Sequence, residues 1–184
     1  DTQGFAYVYK EVYEPDLIIS SAAKRLKKLT KPDEQIKVTY APPDLWNRRQ
    51  DTGRSAAEIF AEHGVPLIKA QNDRIQGWLN MKDWLRPFEI QDEQTGEIRK
   101  AARLRFFSNC RNAIRTIPAV LRDEKDPNDV ALEPHELTHA PDAIRYFCSM
   151  RVPPARPEKP PEDTSMEARI RRNIARLNQK SRNG

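Results

Sequence analysis

The order of patterns in the first half of the chain restricts its fold more than any other feature. Residues 35–40 have the composition of a β-strand. Ser55 and Glu58 have the spacing of a capping box, which predicts the start of a helix. Residues 66–70 predict a second strand directly after this helix. A helix that joins two strands indicates crossover connections, so we expect an α/β fold with a mixed sheet flanked by helices.

Further segments add elements to this fold and indicate its core. The predicted elements are a strand over 5–14, a helix opened by Pro15 and Asp16, a helix over 74–86 capped by Asp73, a hairpin over 88–107, a helix over 109–122 kinked at Pro118, and a helix beginning near Thr138. The side chains expected in the core of the later helices are Ile75, Trp78, Leu79, Leu85, Ala143, Ile144, Phe147 and Cys148.

Composition is that of a polar, single-domain protein. Charged residues make up 32% and hydrophobic residues 38% of the 184 residues. No apolar run approaches the roughly 20 residues of a membrane span, and the first residues lack the pattern of a signal peptide. Cys110 and Cys148 are too few for a disulfide framework, so they are interpreted as buried thiols of an intracellular protein.

The net charge of +5 is concentrated at the C-terminus. Residues 152–184 hold eight Lys and Arg against four Asp and Glu, which leaves the rest of the chain nearly neutral. Five of the 15 prolines fall in residues 153–161. We therefore expect a domain over 1–151, a proline-rich linker over 152–163, and a basic amphipathic tail helix over 164–184. A helix with one apolar stripe suits docking onto a partner, or remains disordered.

Three polar residues at predicted element ends are candidates for a metal site. Asp44 follows the strand over 35–40, and His139 and Asp142 lie three residues apart where a helix is expected to begin. Carboxylates held on rigid elements are the ligands that hard cations prefer. Two alternatives stay open: Asp44 after two prolines is typical of a turn or helix cap, and a lone histidine is often structural. Glu11 is interpreted as a residue of a strand face with a cross-strand partner, and the alternative is an outlying member of the metal site.

Basic residues in the middle of the chain are candidates for DNA contacts. Arg74 lies near the start of a predicted helix, where it serves either phosphate binding or surface solubility. Alternating basic residues on an exposed hairpin arm can follow a phosphate backbone, although a polar solvent face explains them equally well. These residues are Arg99, Lys100, Arg103 and Arg105.

Four short motifs occur in an order that resembles a known family. They are Ala-Pro-Pro-Asp-Leu-Trp at 41–46, Gly-Arg-Ser-Ala-Ala-Glu-Ile-Phe at 53–60, Asn-Asp-Arg-Ile-Gln-Gly-Trp at 72–78, and His-Ala-Pro-Asp-Ala-Ile-Arg-Tyr at 139–146. Together they resemble the C-terminal nuclease domain of the large terminase subunit of tailed bacteriophages, and the resemblance covers residues 5–151.

The resemblance implies a ribonuclease H-like fold and an endonuclease that cuts concatemeric viral double-stranded DNA during genome packaging. It implies two divalent ions, Mg²⁺ or Mn²⁺, with Asp44 and Asp142 as ligands and His139 as a weak ligand or water-binding residue. The implied partners are double-stranded DNA, the portal and the small terminase subunit. The implied location is the cytoplasm of a bacterial host.

The sequence departs from the family pattern in one respect. In the family, the first acid lies on a strand before the residues that match 7–13, so we expect this chain to lack that acid and to cut weakly. No Gly-x-x-x-x-Gly-Lys motif is present, so no ATP site is expected and the chain would be the cutting part of a packaging motor. The alternatives are a non-catalytic module of the same fold that binds DNA or portal, and a resolvase- or transposase-type nuclease.

Overall fold

The computed structural model describes Asp1, residues 3–91, residues 96–151 and Met166. The chain divides into two compact units, Asp1–Pro153 and Pro154–Gly184. The predicted linker over 152–163, nearly all of the predicted tail helix over 164–184, and the hairpin turn at 92–95 lie outside the described residues. None of the helices among the described residues is long and apolar enough to cross a membrane.

Five α-helices are found in the described part of the first unit. They are α1 (Ile19–Leu29), α2 (Ala56–Glu62), α3 (Arg74–Leu85), α4 (Arg111–Thr116) and α5 (His135–Met150). The predicted capping box of α2 is confirmed, because the Ser55 side chain accepts from the Glu58 amide and the Glu58 side chain accepts from the Ser55 amide. The predicted cap of α3 is also confirmed, since the Asp73 carboxylate accepts from the Gln76 amide. The helix predicted over 109–122 ends earlier, at Thr116, and Pro118 lies in a 3₁₀ turn, Ile117–Ala119, that follows α4.

The strands form three short ladders, so the α/β class is confirmed while the described strands do not join into one sheet. The strands are β1 (Ala6–Val8), β2 (Tyr40–Ala41), β3 (Ile68–Lys69), β4 (Phe88–Gln91), β5 (Ile98–Ala101) and β6 (Leu104–Phe106). The pairs β1–β6 and β2–β3 are parallel, and β4–β5 is antiparallel. The parallel β2–β3 pair joined by α2 is the strand–helix–strand unit that the sequence predicts.

Several predicted boundaries were wrong because side chains redirect the backbone. The strand expected over 5–14 ends at Val8, since the next residues bond to the region of α4 and not to a ladder; the Asn109 side chain, for example, donates to the Tyr9 carbonyl at 2.9 Å. The strand expected over 35–40 is reduced to β2. Residues 103–106, expected in the hairpin, leave β5 and pair with β1.

Two predicted helix starts also differ from the structure. Asp16 does not cap α1: its φ angle is +58°, in the left-handed region, and the capping position belongs to Ile18. The last helix begins at His135, three residues before the predicted start, and Pro141 lies inside it. Proline is tolerated there at the loss of one main-chain hydrogen bond, and Pro141 is buried.

The core lies where α3 and α5 pack against each other and against α4 and β6. The prediction of buried positions is confirmed for Trp78, Ile144 and Cys148, whereas Ile75, Leu79 and Ala143 are exposed. The cluster of buried residues consists of Trp78, Met81, Trp84, Leu104, Cys110, Ala113, Ile144 and Cys148. Both thiols are fully buried as predicted, and burial raises the pKa of the Cys148 thiol to about 12.

Candidate active site

Helix α5 holds two of the three candidate site residues. His139 and Asp142 lie in its second and third turns and not at its first residue, because the helix begins at His135. The spacing of three residues places two side chains next to each other on a helix surface. Their environments nevertheless differ: His139 is exposed, and Asp142 is half-buried.

Asp142 is paired with two arginines. Its Oδ1 atom accepts a hydrogen bond of 2.8 Å from Nε of Arg145 and lies 3.8 Å from Nη1 of Arg74. The Arg145 side chain is only 2% exposed. Its guanidinium carbon lies 5.5 Å from the ring centre of Trp78 and 4.4 Å from that of Tyr146. A buried cation requires a compensating anion, and Asp142 supplies it.

Arg74 connects this pair to the loop that precedes α5. Its Nε donates to both carboxylate oxygens of Asp129, at 2.8 and 3.0 Å, and its Nη2 donates to the Val130 carbonyl at 2.8 Å. The sequence offered phosphate binding or surface solubility for Arg74. In the structure the guanidinium is committed to partners within the chain, so its role here is to hold the loop against α3.

Asp44 lies on a different element and is not paired. It occupies the second position of a 3₁₀ turn, Pro43–Trp46, directly after β2. Its carboxylate is exposed and makes no hydrogen bond or ion pair with any residue that the structure describes. Strand β2, which ends three residues before Asp44, packs against α5, the helix that carries Asp142.

His139 lines a cleft of about 730 Å³ together with Glu11, Tyr13 and Glu136. Its imidazole stacks on that of His135, with ring centres 5.8 Å apart and an angle of 9° between the planes. The Tyr13 hydroxyl donates to the Glu136 carbonyl at 3.0 Å and closes one side of the cleft. Asp44 and Asp142 are not among the residues that line this cleft. His139 therefore shares this cleft with Glu11 and Glu136, and not with Asp44 and Asp142.

Glu11 is a helix cap, and its interpretation as a strand-face residue was wrong. Its Oε1 accepts from the Asn112 amide at 3.0 Å and from the Asn112 side chain at 2.8 Å, and its Oε2 accepts from the Ala113 amide at 2.8 Å. Burial alone would raise the pKa of Glu11. The hydrogen bonds from Ala113 and Asn112 outweigh burial, and the pKa of Glu11 is lowered.

The basic candidates separate into buried and exposed residues. Arg103 is buried, with its guanidinium carbon 4.9 Å from the ring centre of Phe88. Arg105 is half-buried, and its guanidinium carbon lies 4.1 Å from the ring centre of Phe5. Arg99 and Lys100 are exposed on β5, with Lys100 opposite Glu89. Of the four residues, the two on β5 are the ones most accessible to a phosphate backbone.

Arg145 is the important residue that sequence reasoning missed. Its signal was the Asp–Arg spacing of three residues, which places opposite charges together on a helix. The sequence alone gave no reason to expect a fully buried arginine at this position.

The donor atoms of the described residues can be compared with the needs of a metal ion. No group of three or more His, Cys, Asp or Glu side chains in that part of the chain is arranged to hold a metal ion. The chemistry of the available donors does suit a hard cation, since Asp44 has a free carboxylate and Oδ2 of Asp142 accepts no hydrogen bond from the described residues. Each carboxylate therefore has an oxygen atom that suits a hard cation.

Comparison of the chain with known protein families, with curated proteins and with solved structures gives no match.

Proposed function

We propose that this chain is a metal-dependent endonuclease with a ribonuclease H-like fold, similar to the C-terminal nuclease domain of a phage terminase large subunit. The observation that carries the proposal is the packing of β2 against α5. Strand β2 ends at Ala41, where the motif at 41–46 begins, and α5 contains the motif at 139–146. The two motifs are far apart in the sequence and contain the two candidate ligands. An α/β architecture with a parallel crossover unit supports the same proposal.

Asp44 and Asp142 would hold the ion, which is Mg²⁺ or Mn²⁺ because the donors are oxygen atoms. When bound, such an ion activates a water molecule and stabilises the leaving oxygen of a phosphodiester. Arg145 holds the Asp142 carboxylate by a hydrogen bond to Oδ1, so the contribution of Asp142 depends on this arginine. Oδ2 accepts no hydrogen bond from the described residues. His139, one turn before Asp142 on α5, would orient water near the phosphate.

The substrate under this proposal is concatemeric viral double-stranded DNA, which is cut during genome packaging. Arg99 and Lys100 are the exposed basic residues of the hairpin available to the DNA backbone. The portal and the small terminase subunit are the proposed protein partners, and the cytoplasm of a bacterial host is the proposed location. These assignments rest on the resemblance of the four motifs.

Plasmid nicking tests the proposal. Supercoiled DNA is incubated with the protein and Mn²⁺, Mg²⁺ or EDTA, and the nicked and linear forms are measured on a gel. We expect nicking with Mn²⁺, none with EDTA, and a loss of at least tenfold in Asp44→Asn and in Asp142→Asn. Asp33→Asn is the matched control, since Asp33 is also an exposed acid without a side-chain partner in the described residues. Nicking that persists unchanged in both site variants would contradict the proposal.

A non-catalytic DNA- or portal-binding module is the second candidate. It is favoured by the ion pairs that already neutralise Asp142 and by the lack of a three-ligand group among the described residues. Calorimetric titration with Mn²⁺ separates the two candidates. A nuclease binds Mn²⁺ in a manner that Asp44→Asn weakens, whereas a binding module gives the same weak heats before and after the substitution.

A further inference from the structure

The β1–β6 ladder has one face in the core and one face toward solvent. Ala6, Val8, Leu104 and Phe106 pack against the core cluster. Because successive residues of a strand point to opposite faces, Tyr7 and its register partner Arg105 belong to the outer face. Phe107 follows directly after β6, and its amide donates to the Val8 carbonyl at 3.0 Å, which fixes its position.

This outer face exposes large aromatic side chains. Tyr7 is 40% and Phe107 53% exposed. The rings of Tyr7 and Phe107 meet edge to face, with centres 6.4 Å apart and 74° between their planes. Rigid aromatic rings grouped on an exposed surface are typical of a ligand-binding site. We call Tyr7, Arg105 and Phe107 the aromatic face.

A cation lies within the same surface. The guanidinium carbon of Arg105 is 5.7 Å from the ring centre of Tyr7, and its Nε donates to the Ala102 carbonyl at 3.3 Å. The β4–β5 hairpin adjoins this surface, because Phe88 stacks on Phe5 with ring centres 6.1 Å apart. Basic residues of that hairpin, Arg99 and Lys100, are exposed. Aromatic rings and cations on neighbouring strands favour an anionic ligand that has flat groups.

We propose that the aromatic face binds single-stranded nucleic acid, with bases stacked on Tyr7 and Phe107 and a phosphate near Arg105. Exposed rings offer stacking surfaces to any unpaired base, and arginine adds both charge and cation–π contacts. The bases of a duplex are already stacked on one another, so they cannot use these rings. The site is separate from Asp44 and Asp142, and it adds recognition of unpaired strands to a chain proposed to cut duplex DNA.

Fluorescence anisotropy with labelled oligo(dT) in EDTA tests the proposal without involving cleavage. We expect Tyr7→Ala combined with Phe107→Ala to weaken binding by about tenfold or more, because each stacked base contributes on the order of 1–3 kcal/mol. The dependence on salt should stay unchanged, since no charge is removed. Arg105→Gln should instead reduce the slope of log K against log salt by about 0.7, the value for one phosphate contact on a single strand.

Two control variants accompany this measurement. Tyr7→Phe keeps the ring and loses only the hydroxyl bond to Asp1, so its affinity should match that of the wild type. Leu132→Ala removes an apolar side chain that is 61% exposed elsewhere on the surface, and it should also bind normally. Circular dichroism checks the folding of each variant, and Phe107→Ala alone carries the test if the double variant unfolds.

Three results would overturn the proposal. The first is that duplex DNA of the same length binds as tightly as the single strand. The second is that the alanine variants keep the affinity of the wild type. The third is that no oligonucleotide binds, in which case the aromatic face would serve a protein partner. Because the assay contains EDTA, its outcome is independent of whether the chain is a nuclease.

Discussion

At the scale of single residues, Arg145 and Asp142 show that one carboxylate can have two tasks. Arg145 is among the most deeply buried side chains of the protein, and its Nη1 has no hydrogen-bond partner among the described residues. The bond from its Nε to Asp142 therefore provides most of its charge compensation. Asp142 is a candidate ligand, and it also stabilises the contact between α3 and α5.

Asp142→Asn should lower the free energy of unfolding by about 2 kcal/mol, because it leaves a buried guanidinium without its anion. A site made only of clustered carboxylates would give the opposite sign, since neutralising one acid would relieve repulsion. Urea denaturation at neutral pH measures the change.

Asp44→Asn is the internal comparison, and it should leave the free energy of unfolding within about 0.5 kcal/mol of the wild type because Asp44 is exposed and unpaired in the described part of the chain. If both substitutions are neutral, the Asp142–Arg145 pair contributes no net stability. Under the proposed function both variants lose nicking, but only Asp142→Asn also loses stability. Measuring activity and stability together therefore separates the two tasks of Asp142.

At the scale of elements, Glu11 explains why the first strand is short. Its carboxylate accepts three hydrogen bonds at the start of α4, which hold the chain at Glu11 to α4 instead of letting it extend β1. A carboxylate at this position also complements the positive end of the helix. The sequence shows a β-like alternation there, but it carries no sign of a helix start about 100 residues later in the chain.

The difference between local signals and contacts of distant segments explains which predictions succeeded. The caps at Ser55 and Asp73 were predictable because each of these bonds joins residues three positions apart. Strand lengths, the partner of β6 and the burial of Arg145 depend on contacts between distant segments, which local patterns do not encode. Among the candidate site residues, motifs indicated Asp44 and Asp142, and the spacing of Asp142 and Arg145 was a local signal for their ion pair. No local pattern indicated that Arg145 is buried or that Arg74 lies beside Asp142.

Glu11→Gln should reduce stability in a pH-dependent way. The pKa of Glu11 is lower in the folded protein than its ordinary value of 4.5, so the folded state binds the proton less tightly than the unfolded state. The stabilisation is present in full above pH 4.5 and is lost as pH falls through the lower, folded pKa. We expect a difference of about 1 kcal/mol at pH 7 that disappears in acid.

Thermal unfolding of both proteins between pH 3 and pH 7 measures this difference. A gap that stays constant across the range would show that the charge of Glu11 is irrelevant to the cap.

Gly77→Ala should separate α3 from α5. A Cβ atom at Gly77 would lie 2.8 Å from Oγ of Ser149 and 2.9 Å from Cγ of Arg145. Alanine favours the helical backbone by about 1 kcal/mol, but overpacking costs about 1–3 kcal/mol, so we expect a net loss of stability. Gln76→Ala on the exposed side of the same helix is the control, and a variant of Gly77 more stable than the wild type would contradict this close packing.

At the scale of the whole molecule, the core cluster found among the described residues lies in the first unit. All residues of the core cluster precede Arg151, whose carbonyl accepts a 2.7 Å hydrogen bond from the Trp84 indole. Asp1–Pro153 is therefore expected to fold by itself.

A protein that ends at Pro153 should unfold cooperatively, with a melting temperature within about 3 °C of the full chain, since no described core contact is removed. Differential scanning calorimetry measures both proteins. Under the proposed function the shortened protein keeps Mn²⁺-dependent nicking and loses binding to the portal. If the shortened protein shows no cooperative transition, the apolar stripe of the tail is part of the core.

The pairing of β1 with β6 has a consequence for synthesis of the protein in a cell. Contacts such as the bond from Asn109 to the Tyr9 carbonyl join positions 100 residues apart. A ribosome adds on the order of 5–20 residues per second, so the first strand leaves it roughly 5–20 s before its partner. During that interval an aromatic strand with unpaired edges is open to chaperones and to other nascent chains. The yield of folded protein should consequently depend on the rate of translation between β1 and β6.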